Sequence, residues 1–271
     1  MSRPLAAFSI AVALLAASLP GAAQKFLPRS IQFQGDPDYT DQELMDAAGL
    51  KKGATLTSDE MGDRTKRLMD TGVFERLSYE FDGQNLVFKL TPAKLLYPVR
   101  LDNLPLTPGK ELDATLHVRF PLYHGSVPNE GGLLDDVRGA LEDILAARGI
   151  KATVAAAPWT DQKLHKVTAM NFAITAPPVV VGAIDFQGVS DTMQARVKAV
   201  AARTAGAAYD TENAAANVAH AFELFYTDEG YAAAKVHAIQ SESPVITAAN
   251  ISIPFSVGNA KMTLSISMTY S

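Results

Sequence analysis

Ile31-Gln32-Phe33-Gln34-Gly35 returns later in the chain as Ile184-Asp185-Phe186-Gln187-Gly188. Eighteen residues beyond each closing glycine stands another, Gly53 and Gly206. From there Gly53-Ala-Thr-Leu56-Thr57 parallels Gly206-Ala-Ala-Tyr209-Asp210, and each copy runs on to a glycine before a large apolar residue, Gly72-Val73-Phe74 and Gly230-Tyr231. Landmarks that keep their spacing mark a structural repeat, and a repeat constrains the fold more than composition does.

Local chemistry assigns the elements. Ile31 and Phe33, like Ile184 and Phe186, alternate as in a half-buried strand halted by Gly35 or Gly188. Thr40 with Glu43, and Thr57 with Glu60, have the spacing of capping boxes that open two helices. Met61, Arg64, Leu68 and Met69 stripe the second helix, and Gly72 and Gly230 suit left-handed helix closure. Phe74–Phe81, the turn at Asp82-Gly83 and Leu86–Leu90 read as a hairpin, with Ala232–Ile239 and Ile251–Val257 its later counterpart. Each unit therefore reads strand, helix, helix, strand, strand.

The middle stretch is a looser copy. Val99–Asn103 supplies a first strand, with Asn103 in place of the glycine. Leu134, Val137, Leu141, Ile144 and Leu145 lie at helical spacing within Leu133–Arg148, which Gly149-Ile150 closes. Ile150–Ala156 and Val167–Thr175 form the hairpin, while Phe120–Gly132, rich in Pro and Gly, does not align. Prolines at 92, 98, 177 and 178 set the limits. The expected organisation is a signal peptide at 1–23, modules at 28–92, 94–176 and 178–260, and a C-terminal strand at 261–271. The fold class is α+β, each module a small three-stranded mixed sheet covered by two helices.

The N-terminus carries Arg3, an apolar run from Leu5 to Leu19, then Pro20-Gly21-Ala22-Ala23, the layout of a secretory signal cleaved after Ala23. The run is short for a membrane span, although a retained anchor is the alternative. No Cys follows it, so no lipoprotein anchor is expected, and the chain has 0 cysteines, which removes disulfides and thiol chemistry. Removing 1–23 takes away one Arg and no acid, moving the formal charge from −5 to −6. An acidic chain is a poor partner for nucleic acid, and no later segment is apolar for long enough to span a bilayer as a helix.

These features resemble the polypeptide-transport-associated (POTRA) domains of outer-membrane protein assembly factors. The residues that carry the resemblance are Phe33-Gln34-Gly35 and Phe186-Gln187-Gly188, Gly53…Leu56-Thr57, and Leu68-x-x-x-Gly72-Val73-Phe74. It is specific in the first unit, good in the third and loose in the second. The resemblance implies a periplasmic scaffold, peripheral to the outer membrane, whose partners are unfolded outer-membrane proteins or a separate barrel protein. Members of the family continue into a C-terminal barrel; here only Lys261–Tyr270 follows, alternating in the manner of a further module's first strand or a lead into a barrel. The chain is thus a separate scaffold, an adaptor for one fixed barrel, or a truncated assembly factor.

Catalytic chemistry is not expected. His117, His124, His165, His220 and His237 fall on different predicted elements without metal-ligand spacing, so neither metal nor cofactor is expected. Asp135-Asp136 sits where acids favour a helix start. Gly125-Ser126 and Gly188-Val189-Ser190 lack the second glycine of a nucleophile elbow, and no G-K-[ST] follows Gly131-Gly132. Trp159 is placed in a turn. Backbone chemistry remains: an outer strand of each sheet has unpaired amides to which an extended client can add. The resemblance implies that this edge is the second strand of each module. Its residues are Phe74, Arg76, Ser78 and Glu80; Ile150, Lys151 and Thr153; and Lys235 and His237. The opposing reading is that Arg76, Glu80, Lys235 and His237 blunt those edges.

Overall fold

The computed structural model describes residues 25–35, 38–184, 186, 189, 191–232, 235–240, 245–246, 250–253, 255–259 and 268–269. The expected signal peptide, its cleavage point, Gly188 and most of 261–271 lie outside the described residues.

The first unit comprises β1 (Lys25–Phe26), β2 (Ser30–Gln34), α1 (Asp41–Ala48), β3 (Leu56–Thr57), α2 (Ser58–Asp70), β4 (Phe74–Phe81) and β5 (Asn85–Pro92). Its main sheet runs β2-β5-β4, with β2 parallel and β4 antiparallel to β5. Both helices begin with complete capping boxes, Thr40 with Glu43 and Thr57 with Glu60. Each satisfies two backbone or side-chain donors that the first helical turn would otherwise leave open. Met61 and Leu68 turn one face of α2 into a core shared with Leu86 and Phe88 of β5. Gly35 ends β2 because a Cβ there would lie 2.2 Å from the carbonyl oxygen of Leu90. That approach leaves room only for hydrogen.

The second unit comprises β6 (Tyr97–Asp102), α3 (Lys110–Arg119), β7 (Ser126–Val127), α4 (Gly132–Ala147), β8 (Thr153–Asp161) and β9 (Lys166–Ala176). Its sheet runs β7-β6-β9-β8, so the unaligned stretch holds a short fourth strand, β7, antiparallel to β6. Asn103 takes φ +48° at the end of β6. Its side chain accepts from the Ile174 N–H at 2.7 Å and donates to the Ile174 carbonyl at 3.2 Å, which favours asparagine over glycine at this turn. Trp159 is not in a turn. It lies on β8, with the Arg100 guanidinium 3.9 Å above its ring.

The third unit comprises β10 (Val179–Val181), β11 (Ala183–Ile184), α5 (Asp191–Thr204), α6 (Ala214–Asp228), β12 (Val236–Gln240), β13 (Val245–Ile246), β14 (Ile251–Ile253), β15 (Phe255–Asn259) and β16 (Met268–Thr269). Here the repeat shifts. The strand parallel to β14 is β10, and not the strand that holds Ile184; β11 pairs instead antiparallel with β16. Val179–Val181 is a continuous apolar run that can be buried on both faces, whereas Ile184 is followed at once by polar Asp185. The described part of the C-terminal segment thus returns to its own module. Among the described residues no sheet closes on itself, and no helix is long and apolar enough to cross a membrane.

The units meet at two seams. Between the first and second, the Leu133 N–H donates to the Thr71 carbonyl at 3.2 Å, and a Cβ on Gly72 would lie 2.3 Å from the Glu130 carbonyl oxygen. Between the second and third, Arg100 reaches Glu212 at 2.7 Å while the Thr211 N–H donates to Asp102 at 3.3 Å. The first seam is backbone against backbone; the second is polar.

Candidate functional site

In β4 the phase of the ladder decides which backbone groups are free. The Asp82 N–H donates to the Asn85 carbonyl at 3.2 Å, making these residues a hydrogen-bonded pair at the hairpin's tip. Bonded and non-bonded pairs alternate along an antiparallel ladder. Glu80↔Val87 and Ser78↔Lys89 are therefore bonded pairs, while Phe81↔Leu86, Tyr79↔Phe88 and Leu77↔Leu90 are not. Consequently Arg76, Ser78 and Glu80 spend their amides on β5. The outward backbone groups belong to Leu77, Tyr79 and Phe81.

Side chains alternate with the same period, so the residues with free amides are those packed toward the core. Leu77, Tyr79 and Phe81 are half-buried, and Tyr79 and Phe81 meet Phe26 edge-on at 6.1 and 5.3 Å. Arg76, Ser78 and Glu80 are exposed on the open face, where Glu80 pairs with Lys89 at 2.5 Å. Phe74 is buried ahead of a bulge at the start of β4. Sequence reasoning chose the exposed set because it looked outward by side chain. The pleat itself was the missed signal, since it ties amide direction to side-chain direction.

The corresponding edge of the second unit is β8. Sequence reasoning put it at Ile150–Ala156, and a correction is needed: it begins at Thr153 and extends to Asp161. Ile150 is buried, 1 % exposed, and with Lys151 precedes the strand. Its amide donates back to the Leu145 carbonyl at 2.9 Å, so the apolar side chain that suggested a strand closes the helix. In β8, Pro158 has no N–H to give β9, and the Ile174 N–H opposite Val154 is already bound to Asn103. The outward residues are thus Val154, Ala156 and Pro158. Glu142 of α4 accepts the Val154 N–H at 2.8 Å. One outward position is occupied and another has no donor.

The third unit repeats the first of these devices. Glu223 of α6 accepts the Val236 N–H at 3.1 Å, where β12 begins. Lys235 precedes β12 and is not on it; the backbone of His237 is within it, opposite Gly258. Glu142 and Glu223 each stand seven residues before their helix-closing glycine, Gly149 or Gly230, and the same position before Gly72 is Thr65. Thr65 donates its hydroxyl to the Met61 carbonyl of its own helix at 2.9 Å. That sequence difference was available for reading; its meaning required the strand partner.

The remaining predicted landmarks are backbone positions. Gly53, Gly72, Gly206 and Gly230 have φ of +75°, +78°, +82° and +89°. Two histidines thought to lie apart come together: His117 at the end of α3 and His124 in the following loop both face Glu43 of α1. A turn at Phe120–Tyr123 reverses the chain between them, with the Tyr123 N–H donating to the Phe120 carbonyl at 2.9 Å. The Tyr123 hydroxyl donates to Asp113 at 2.9 Å, and burial together with that carboxylate pushes its pKa far above the ordinary phenol value. Burial opposes ionisation of Glu43, yet hydrogen bonds from the Thr40 backbone and side chain and from His124 hold its carboxyl below the usual range.

Residues 29–93 match the POTRA family, described as surface antigen variable number repeat. Over 109 residues the chain is 26% identical to the outer membrane protein assembly factor BamA of Buchnera aphidicola subsp. Acyrthosiphon pisum (strain APS), a match covering 40% of this chain and 18% of that protein. The chain therefore spans about a fifth of its curated relative's length. Among solved structures, Haemophilus influenzae BamA POTRA3-5 aligns at 12% identity, covering 88% of this chain and 98% of that one, with a TM-score of 0.28. POTRA1-3 of Omp85 from Anabaena aligns at 12% identity over 87% and 96%, with a TM-score of 0.30.

Proposed function

We propose that this chain, whose residues 29–93 form a POTRA module, is an exported, non-enzymatic scaffold working in the periplasm beside the outer membrane. We assign its modules to 28–92, 94–176 and 178–260. It binds extended outer-membrane polypeptides by strand addition, chiefly at β4 of the first module, in the course of their assembly or translocation. The match to the POTRA family supports the setting, and the observation that carries the site is the outward backbone of Leu77, Tyr79 and Phe81. These are successive donor–acceptor positions with no proline among them and no strand beyond them among the described residues. Main-chain pairing accepts many sequences, as a client-handling surface requires.

Amide hydrogen exchange tests this directly. A peptide with the alternating apolar pattern of an outer-membrane strand should slow exchange at Leu77, Tyr79 and Phe81. Arg76, Ser78 and Glu80, bonded to β5 already, should change little. Binding that leaves the first three amides fast would reject strand addition at β4. Protection by one peptide, with no effect from unrelated strand peptides, would replace the client reading by an adaptor for one fixed partner.

A further inference from the structure

Glu43, His117 and His124 bring one carboxylate oxygen and two ring nitrogens within 4.8 Å of one another, across the seam between the first two modules. The Nε2 of His117 lies 3.5 Å, and that of His124 2.9 Å, from the same oxygen, Oε1 of Glu43. Tetrahedral zinc with bonds of about 2.0–2.1 Å separates its donor atoms by about 3.3 Å. The cluster is thus already near the size of an ion's coordination sphere.

The outer partners orient each group toward that point. The other oxygen of Glu43, Oε2, accepts from the Thr40 backbone N–H and hydroxyl, each at 2.7 Å, which leaves Oε1 to project toward the histidines. Nδ1 of His117 is 2.9 Å from the Tyr123 carbonyl, and a carbonyl only accepts, so Nδ1 carries the hydrogen. With Nδ1 engaged there, Nε2 is the ring atom that His117 turns toward Glu43. A ring nitrogen tied to a backbone carbonyl is also how ligating histidines are commonly held. His124 packs against Tyr39 with the rings tilted at 49° and their centroids 4.9 Å apart, which limits how its ring can turn.

We propose that Glu43, His117 and His124 form a site for a divalent transition-metal ion of the zinc class, with water completing the coordination. One glutamate and two imidazoles suit a borderline ion better than calcium or magnesium, which prefer all-oxygen ligands. Because Glu43 belongs to the first module and both histidines to the second, the bound ion ties the two together. The inference does not depend on strand addition at β4.

The test uses the full chain, stripped with a chelator and titrated with Zn2+ in a calorimeter and with Co2+ in a spectrophotometer. One equivalent should bind, Co2+ should give the visible bands of a tetrahedral site, and affinity should fall as pH drops through the imidazole range. His124→Gln should weaken binding at least by the roughly 10–100-fold that even outer partners are worth. His117→Gln should do the same, whereas His165→Ala and His220→Ala, which alter exposed histidines elsewhere, should bind as the parent does. Since Glu43 also completes the capping box of α1, Glu43→Gln is informative only beside His124→Gln with an unchanged circular-dichroism spectrum. No saturable binding, or binding that His124→Gln and His117→Gln leave intact, overturns the proposal. So does equal loss in the His165 and His220 variants, which would mark exposed histidines as the ligands.

Discussion

The first and second modules finish their second helices alike, with Gly72 at φ +78° and Gly149 at +84°, yet they treat the following strand differently. In the second module Glu142 reaches from α4 to take the amide of Val154, and Pro158 removes another outward donor. In the first, Thr65 holds the matching helical position and its hydroxyl goes to its own helix. One fold thus supplies both a closed and an open edge, and the choice rests on one or two residues. Exposed strand edges are a liability that proteins ordinarily blunt. An edge left open beside two with a carboxylate at their first outward amide is therefore the one to which we assign the proposed binding.

The glycines themselves break the likeness most strongly. A Cβ at Gly149 meets nothing within 4 Å, whereas one at Gly72 runs into the backbone of the second module. Gly149→Val should cost about 1–2 kcal/mol, the strain of a β-branched residue in left-handed conformation. Gly72→Val adds a seam that cannot close and should cost roughly 2–5 kcal/mol. Urea unfolding of the two variants gives the comparison, and equal losses would mean the seam yields easily.

Next in size is a proline in β4. Ser78→Pro deletes an amide committed to β5 and should destabilise the first module by roughly 2–3 kcal/mol, while Ser78→Ala changes stability by under about 0.5 kcal/mol. Retention of parental stability by Ser78→Pro would mean that the ladder has the opposite phase, with Ser78 facing outward.

Much of this architecture could be read from local chemistry. Thr40/Glu43 and Thr57/Glu60 announce two helices because a capping box is complete within four residues. Asn103 could be read as a glycine substitute, since its left-handed backbone is a property of the residue itself. What failed depended on pairing across distance. Ile150 passed for a strand residue because an apolar side chain after a helix can close the helix or open a strand. The repeat puts the third unit's first strand at Ile184 and Phe186, whereas the strand parallel to β14 is β10, because strand periodicity does not specify a neighbour. The candidate edges could be located, but the identity of their free amides could not, because that follows from ladder phase. The meeting of His117 with His124 and Glu43 needed both a chain reversal and a second module.

Glu142→Ala sharpens the comparison more gently. It removes a hydrogen bond between a partly exposed carboxylate and the Val154 amide, and should cost about 1 kcal/mol. Exchange at Val154 should quicken, while Thr65→Ala, whose hydroxyl serves only its own helix, should leave exchange at Leu77 unchanged. A Val154 amide as slow as before would mean that something other than Glu142 protects it.

The smallest expected change in stability comes from transplanting the device. Thr65 is half-buried on α2, seven residues before Gly72, and Leu77 lies five residues beyond that glycine, as Val154 does beyond Gly149. Thr65→Glu places a carboxylate where Glu142 stands in the second module. Glutamate has the higher helix propensity, so the helix gains a few tenths of a kcal/mol. The new hydrogen bond, partly exposed and so partly screened, adds well under about 1 kcal/mol. Total stability should therefore move by less than about 1 kcal/mol in either direction. The effect to seek is local: slower exchange at Leu77 in the free protein, with Tyr79 and Phe81 unchanged. A strand peptide should then bind several-fold more weakly, because its first pairing position is filled. Thr65→Gln, which offers a neutral acceptor at the same reach, should lie between parent and Thr65→Glu. If Leu77 slows but the peptide binds undiminished, the client pairs farther along β4. If Leu77 does not slow at all, the helix-to-edge geometry of the first module differs from that of the second, and the absence of Glu at position 65 is not what leaves its edge open.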